Sequence, residues 1–273
     1  MRILVVNDIS CIGKCSLSVA LPIVSACGVT CDVLPTAILS THTGGFTGYT
    51  FRDLTDDIPD VLKHWKTLGV SFDYILSGYL GSVQQIELVE YIGREFLKPN
   101  GKFIVDPVMG DSGKLYAGFT DEFVKKMKEL CKLADFILPN LTEGCLLADV
   151  PYPPNGEFAN GKEIVQKLAS INTCPILTGV EEGNLISVYT QIDGKTEKFE
   201  MQNVEGFFCG AGDVFASAFV GVLARGKSVF EAVKLAAEFT TAAIVRSAKE
   251  VEDKRYGLNF EAELYNFLQK LNG

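Results

Sequence analysis

Residues 207–214 read Phe-Phe-Cys-Gly-Ala-Gly-Asp-Val and run into a long apolar stretch of small residues. Gly210-Ala211-Gly212-Asp213 has the form of a glycine-rich turn opening a helix, with an acid at its mouth. The first amides of a helix and its aligned peptide dipoles favour negative charge, so such a turn suits a phosphate. A carboxylate beside it can take a proton from a hydroxyl as a phosphoryl group arrives. The plain alternative is an ordinary helix start with Asp213 as a dipole partner. The tetrapeptide by itself leaves both open.

Two further constellations carry oxygen chemistry. Asp106-Pro107-Val108-Met109-Gly110-Asp111 reads as a buried strand ending in an acid, followed by a loosened exit. Asp106 and Asp111 could hold magnesium directly or through water, because that ion prefers oxygen ligands and keeps several waters. The glycine-bearing stretch 110–119 could close as a flap and exclude water. Asn140-Leu141-Thr142-Glu143 has capping-box spacing, and Glu143 could also stand behind a metal–phosphate site. Elsewhere, His42 sits in a hydroxyl-rich loop with Thr41 and Thr43. Thr178-Gly179 after a strand could bond a phosphate or simply turn the chain, and Cys209 reads as a small packing residue.

Other motifs fail. The stretch after the first strand has one glycine, Gly13, where a dinucleotide fingerprint needs three. Gly156 to Gly161-Lys162 has P-loop spacing, but Glu163 replaces the hydroxyl and no strand precedes it. A Gly-x-Ser-x-Gly elbow is absent. The net charge of −9, with no basic block, argues against nucleic acid. Eight cysteines without a Cys-x-x-Cys pair, and two histidines, argue against zinc and for free thiols in a cytoplasmic protein. The short N-terminal apolar run is no targeting segment, and no stretch is long enough to span a membrane.

The elements that would position these residues alternate. Extended runs are expected at 3–6, 31–37, 74–76, 102–106, 134–138 and 175–178. Helical stripes fall at 15–27, at Val61, Leu62, Trp65 and Leu68, and at Val83 to Phe96. Residues 185–192 and 195–201 flank Asp193-Gly194, a hairpin signal, and helices are expected at about 211–225, 229–247 and 260–271. The alternation predicts an α/β fold, with a mainly parallel sheet and helices on both faces, in one domain over 1–273. The loop at 151–161 reads as a surface connection. Ligands of such sheets sit at the strands' carboxyl ends, so the residues just after each strand matter most.

Together these segments resemble the vitamin B6 kinases of the ribokinase-like superfamily, over nearly the whole chain. Leu39-Ser40-Thr41-His42-Thr43-Gly44, Ser77-Gly78-Tyr79-Leu80-Gly81-Ser82, Asp106–Asp111, Pro139-Asn140 with Glu143, and Gly210–Asp213 follow the family's order. The resemblance implies the three-layer ribokinase-like fold and ATP-dependent phosphorylation of the 5′-hydroxymethyl group of a B6 vitamer. Asp213 would be the base, and Gly210, Ala211 and Gly212 the anion hole. Thr43 would bind the pyridine, with His42 and Tyr79 nearby and Tyr116 on the flap. Asp106 would lie by the ATP phosphates and cations, Thr178 would touch ATP, and Asp111 and Glu143 would organise magnesium. It also implies a homodimer, and allows potassium or sodium. Asp8 departs from the pattern: it stands where the family usually has a serine facing the pyridine, which suggests a bias toward a cationic vitamer such as pyridoxamine. Two rivals stay open: hydroxymethylpyrimidine kinase on the same fold, and a non-catalytic B6-binding sensor, against which the intact Asp213 argues.

Overall fold

A computed structural model describes residues 1–154, 159–172 and 174–273. The strands of its first part are β1 (Arg2–Ile12), β2 (Thr30–Thr41), β3 (Phe51–Asp53), β4 (Phe72–Ser77) and β5 (Leu97–Val105). The short strands β6 (Gly110–Asp111) and β7 (Lys114–Leu115) pair as a separate hairpin, and β8 (Phe136–Ile137) follows. The central sheet has the order β3-β2-β1-β4-β5-β8, parallel except for the edge strand β3. Isolated parallel bridges, Ile137 with Pro175 and Asn140 with Thr178, carry it on toward β9 (Ile176–Glu182). That strand forms an antiparallel meander with β10 (Leu185–Ile192) and β11 (Lys195–Gln202).

Helices cover both faces. On one side α1 (Leu17–Ala26), α7 (Ala211–Ala224), α8 (Val229–Glu250) and α9 (Leu264–Asn272) share a core with Ile3, Val5, Leu76 and Ile104. On the other side lie α2 (Ile58–Leu68), α3 (Val83–Phe96), α4 (Asp121–Leu133), α5 (Leu141–Leu147) and α6 (Gly161–Leu168). They pack on Leu4, Val6, Ile75 and Val105. Successive strand residues thus feed opposite cores, as a sheet covered on both faces requires. Each large side chain buried in these layers is worth roughly 1.5–3 kcal/mol. The same alternation continues: Asn7, further along β1, and Asp106, just past β5, follow Val5 and Ile104 on the α7 side. Among the described residues no helix is long and apolar enough to cross a membrane.

The expected α/β architecture is present, with several differences. β1 runs to Ile12 instead of ending near Val6. Its second half pairs with β2 alone, projecting past the end of β4. Thr178-Gly179 lies inside β9, where Gly179 takes a left-handed φ of 71°. Leu68 is 61% exposed, because α2 ends there at a left-handed Gly69. The Asp193-Gly194 hairpin forms, both residues having positive φ. Residues 155–158 of the 151–161 loop, including Gly156, lie outside the described residues.

Candidate active site

The sheet's strand order reverses at β1, between β2 and β4, and there Asn7 gathers three segments. Its Oδ1 accepts the N–H groups of Asp8 (3.0 Å) and Tyr79 (2.8 Å), which turns its Nδ2 toward Asp213 Oδ1 at 3.2 Å. Gly78 makes room for this, since a Cβ there would overlap the Asn7 amide. Asp213 is the third residue of α7, whose N-cap Gly210 has a left-handed φ of 77° and offers no side chain. A Cβ on Gly210 would overlap the Lys14 carbonyl, so only glycine lets the turn pack on the loop after β1.

That loop supplies Ser16. Its N–H donates to the Asp213 carboxylate, and its Oγ donates to Asp8 Oδ1 at 2.6 Å. Ser16 has φ 52°, an uncommon value for a non-glycine residue, and the two carboxylates hold it there. Ser10 Oγ meets Asp8 Oδ2 at 3.4 Å. Burial pushes the Asp213 carboxyl up to about 6, against the Ser16 N–H; Asp8 adds to the rise and Asn7 opposes it. Asp8 is also raised, by burial, against its two serine partners.

At the exits of β5 and β8 stands a second acid pair. Asp106 is buried at 9% exposure and Glu143 at 2%. Glu143 Oε2 accepts the Asn140 N–H (2.9 Å) in the capping box of α5, and Oε1 accepts the Met109 N–H (3.1 Å). Burial pushes Glu143 up to about 8 despite the amides of Asn140, Met109 and Gly110, and Asp111 adds to the rise. Burial, Glu143 and Asp213 raise Asp106 well above the carboxylate range. Like charges oppose joint ionisation, and Glu143 accordingly adds to the rise of Asp106.

Above it lies the β6–β7 hairpin. Asn140 Nδ2 donates to the Gly110 carbonyl (2.8 Å) and Gly113 N–H to Thr142 Oγ1 (2.9 Å), pinning the hairpin to the start of α5. Phe119, just beyond it, stacks between Tyr79 (ring centroids 6.0 Å apart) and Phe123 (4.0 Å).

A family model described as phosphomethylpyrimidine kinase matches residues 23–258. The chain belongs to the phosphomethylpyrimidine kinase family. A candidate phosphomethylpyrimidine kinase of Bacteroides thetaiotaomicron is 37% identical, with a TM-score of 0.92 over 97% of this chain and 93% of that one. A second crystal form of it is described as containing pyridoxal. Pyridoxal kinase of Lactobacillus plantarum is 31% identical, with a TM-score of 0.90 over 98% of this chain and 96% of that one. Among curated relatives, a candidate pyridoxal kinase of Schizosaccharomyces pombe is 28% identical over 68% of this chain. The match spans 56% of that relative's length and 53% of a Caenorhabditis elegans one, about half of each. The resemblance to the B6 kinases of the ribokinase-like superfamily therefore holds, as does the three-layer fold.

Within this family fold, the expected site residues fall into two groups. Asp8, Asp213 and Tyr79 meet around Asn7 in the middle of β1, with exposed Thr43 on the neighbouring loop, whose Gly44 touches Cys209. Asp106, Asp111, Glu143, Tyr116 and Thr178 cluster around the exits of β5 and β8 and the start of β9. Tyr116 N–H bonds the Met109 carbonyl, and Thr178 N–H bonds that of Pro139. His42 points away from solvent, both ring nitrogens engaged by backbone. Each Glu143 oxygen accepts a backbone amide, and Asp111 Oδ1 accepts the Ser112 N–H. Among the described residues no group of three or more His, Cys, Asp or Glu side chains forms a metal cage. The donor set still fits magnesium arriving on a nucleotide: it is all oxygen, and burial raises Asp106 and Glu143, which an arriving cation would offset. Sequence reasoning passed over Ser16 and gave Asn7 no role. Asn7's polar side chain directly after the apolar run 3–6 was the available signal; Ser16 gave none.

Proposed function

We propose that this chain is an ATP-dependent kinase that phosphorylates the 5′-hydroxymethyl group of a B6 vitamer, with Asp213 as the base. The observation that carries the reading is Asp213 itself. It stands in the first turn of an uncapped helix, beside the open amides of Ala211 and Gly212, with its carboxyl at about 6. A base at that value is ionised at neutral pH yet basic enough to take an alcohol proton as the bond to phosphorus forms. Gly210, Ala211 and Gly212 hold the charge of the transferring phosphoryl group, and positioning with electrostatics supplies most of the rate. The relatives' names support the vitamer as substrate.

Asp106 faces the nucleotide phosphates, and with Asp111 and Glu143 makes the acidic wall that would hold magnesium. When bound, that ion neutralises charge on the β- and γ-phosphates. Glu143 acts by holding the Asp106 exit loop against α5, Thr178 borders the nucleotide, and the pinned hairpin with Tyr116 excludes water. Thr43 and Tyr79 bind the ring, and Asp8 favours a cationic vitamer. Potassium or sodium belongs to the same nucleotide wall. A homodimer accompanies this reading, supported by Ile9 (37% exposed) and Ile38 (42%), paired in register on the β1–β2 projection. So does a cytoplasmic location, supported by eight unpaired cysteines.

The family's name points to a pyrimidine as the competing substrate class, and hydroxymethylpyrimidine is the alcohol of that class. A kinetic panel of pyridoxal, pyridoxine, pyridoxamine and hydroxymethylpyrimidine with ATP and magnesium decides between them. The highest kcat/KM is expected for a B6 vitamer. A preference for the pyrimidine overturns the substrate, and tight vitamer binding with no ADP release makes the chain a sensor.

A further inference from the structure

The turn at Asp253–Gly257 lies far along the chain from every strand exit, yet it touches three loops of the site. His42 Nε2 is 2.6 Å from the Arg255 carbonyl oxygen, and the Gly44 N–H donates to Nδ1 at 3.1 Å. A carbonyl only accepts, so these partners assign the proton to Nε2 and leave the ring neutral. The Arg255 guanidinium donates to the Gly45 carbonyl (3.3 Å) and lies 5.0 Å over the Phe46 ring. Tyr256 meets the same ring edge-on at 5.3 Å. From the other side, the Lys14 N–H donates to the Tyr256 carbonyl at 3.0 Å. Gly257, at φ 90°, lies so near that a Cβ would press on the Lys14 backbone. The Lys254 ammonium sits 5.0 Å over Phe208, beside the turn into α7.

One short turn therefore joins the loop after β1, which carries Ser16, the loop after β2, which carries Thr43, and the approach to Gly210. We infer that Asp253–Gly257 is a strap that positions the alcohol-binding half of the site. His42 is the positioning residue that ties this strap to the Thr43 loop. With both nitrogens spent on backbone, His42 has none left for substrate. The inference rests on the B6 kinase reading for its kinetic consequence only.

The two His42 bonds can be cut separately. In His42→Asn the amide oxygen stands near Nδ1 and keeps the Gly44 bond, while the bond to Arg255 is lost. In His42→Gln the amide nitrogen reaches toward the Arg255 carbonyl and keeps the strap. Trypsin cleavage after Lys254 and Arg255, with no substrate present, reads strap opening directly. Losing one buried hydrogen bond should speed cleavage about tenfold in His42→Asn and leave His42→Gln within about twofold of wild type. With substrates, the vitamer KM should rise about tenfold in His42→Asn and return toward wild type in His42→Gln, while the ATP KM moves less than about twofold.

Equal cleavage rates in the three proteins overturn the strap. A matching rise in both KM values overturns its assignment to the alcohol side. If wild type turns over no vitamer, the B6 reading fails, while the cleavage comparison still decides the strap. Should His42→Asn not fold, Arg255→Met at an exposed position carries the test. A rise of about threefold in vitamer KM is expected from its lost Gly45 and Phe46 contacts, and no rise counts against the strap.

Discussion

The middle of β1 and the exit of β5 each present buried acids, and the two pairs are built toward opposite ends. Around Asp8 and Asp213, Asn7, Ser10 and Ser16 donate hydrogen bonds that favour the charged forms. Asp213 is left near neutrality, where a proton moves easily in either direction. Around Asp106 the environment only raises the carboxyl, and Glu143 is lifted to about 8 even with three amides donating to it. Burial outweighs hydrogen bonding there. One pair suits proton transfer; the other suits charge neutralisation. The two pairs are near enough for Asp213 to raise Asp106, so the difference comes from the donors within reach of each.

The contrast can be broken most directly at the base. Asp213→Asn should lower kcat by about a thousandfold, because it removes the acceptor of the alcohol proton while keeping the shape. ATP affinity by calorimetry should change less than about twofold. Retained turnover would remove Asp213 from its role and make the two pairs alike.

A second measurement sharpens the other side. Glu143 has a folded-state value near 8, above its unfolded value, so its contribution to stability is fully present below about pH 4.5 and lost as pH rises through 8. Without ligand, unfolding free energy should therefore fall between pH 5 and 8.5, by on the order of a few kcal/mol, in urea titrations. Magnesium with ATP should remove most of that fall. A ligand-free stability that climbs over the same range would mean the pair is already ionised.

Smaller effects are expected at Asp8. Asp8→Ser should lower kcat/KM for pyridoxamine relative to pyridoxine by about tenfold, the worth of one charged contact. An unchanged ranking of the vitamers sinks the proposal for this residue. The subtlest effect is on pH. Wild-type kcat/KM should rise with pH through about 6 as Asp213 ionises, and that inflection should fall in Asp8→Asn, since Asp8 helps raise Asp213. An inflection that does not move separates the two acids electrostatically.

Features built from neighbours in the chain were legible before folding was considered. The Asn140–Glu143 capping box, the Asp193-Gly194 hairpin and the helix opening at Gly210–Asp213 each draw on residues within a few positions of one another. Alternating apolar runs gave the layers for the same reason. The β6–β7 hairpin was not legible: two-residue strands carry no periodicity, and its pins come from Asn140 and Thr142 on another segment. The reading of His42 as a substrate neighbour had no access to Arg255, 213 residues away.

What the sequence determined alone is the inventory: an acid behind a glycine turn, acids at strand ends, and the elements that carry them. Tertiary structure decided what each acid can do. Asn7 reaches Asp213 across 206 residues, and Ser16 reaches both acids of its pair from a loop with no motif. Proton affinity depends on burial and on the donors within hydrogen-bond reach, and both exist only once distant loops are packed together.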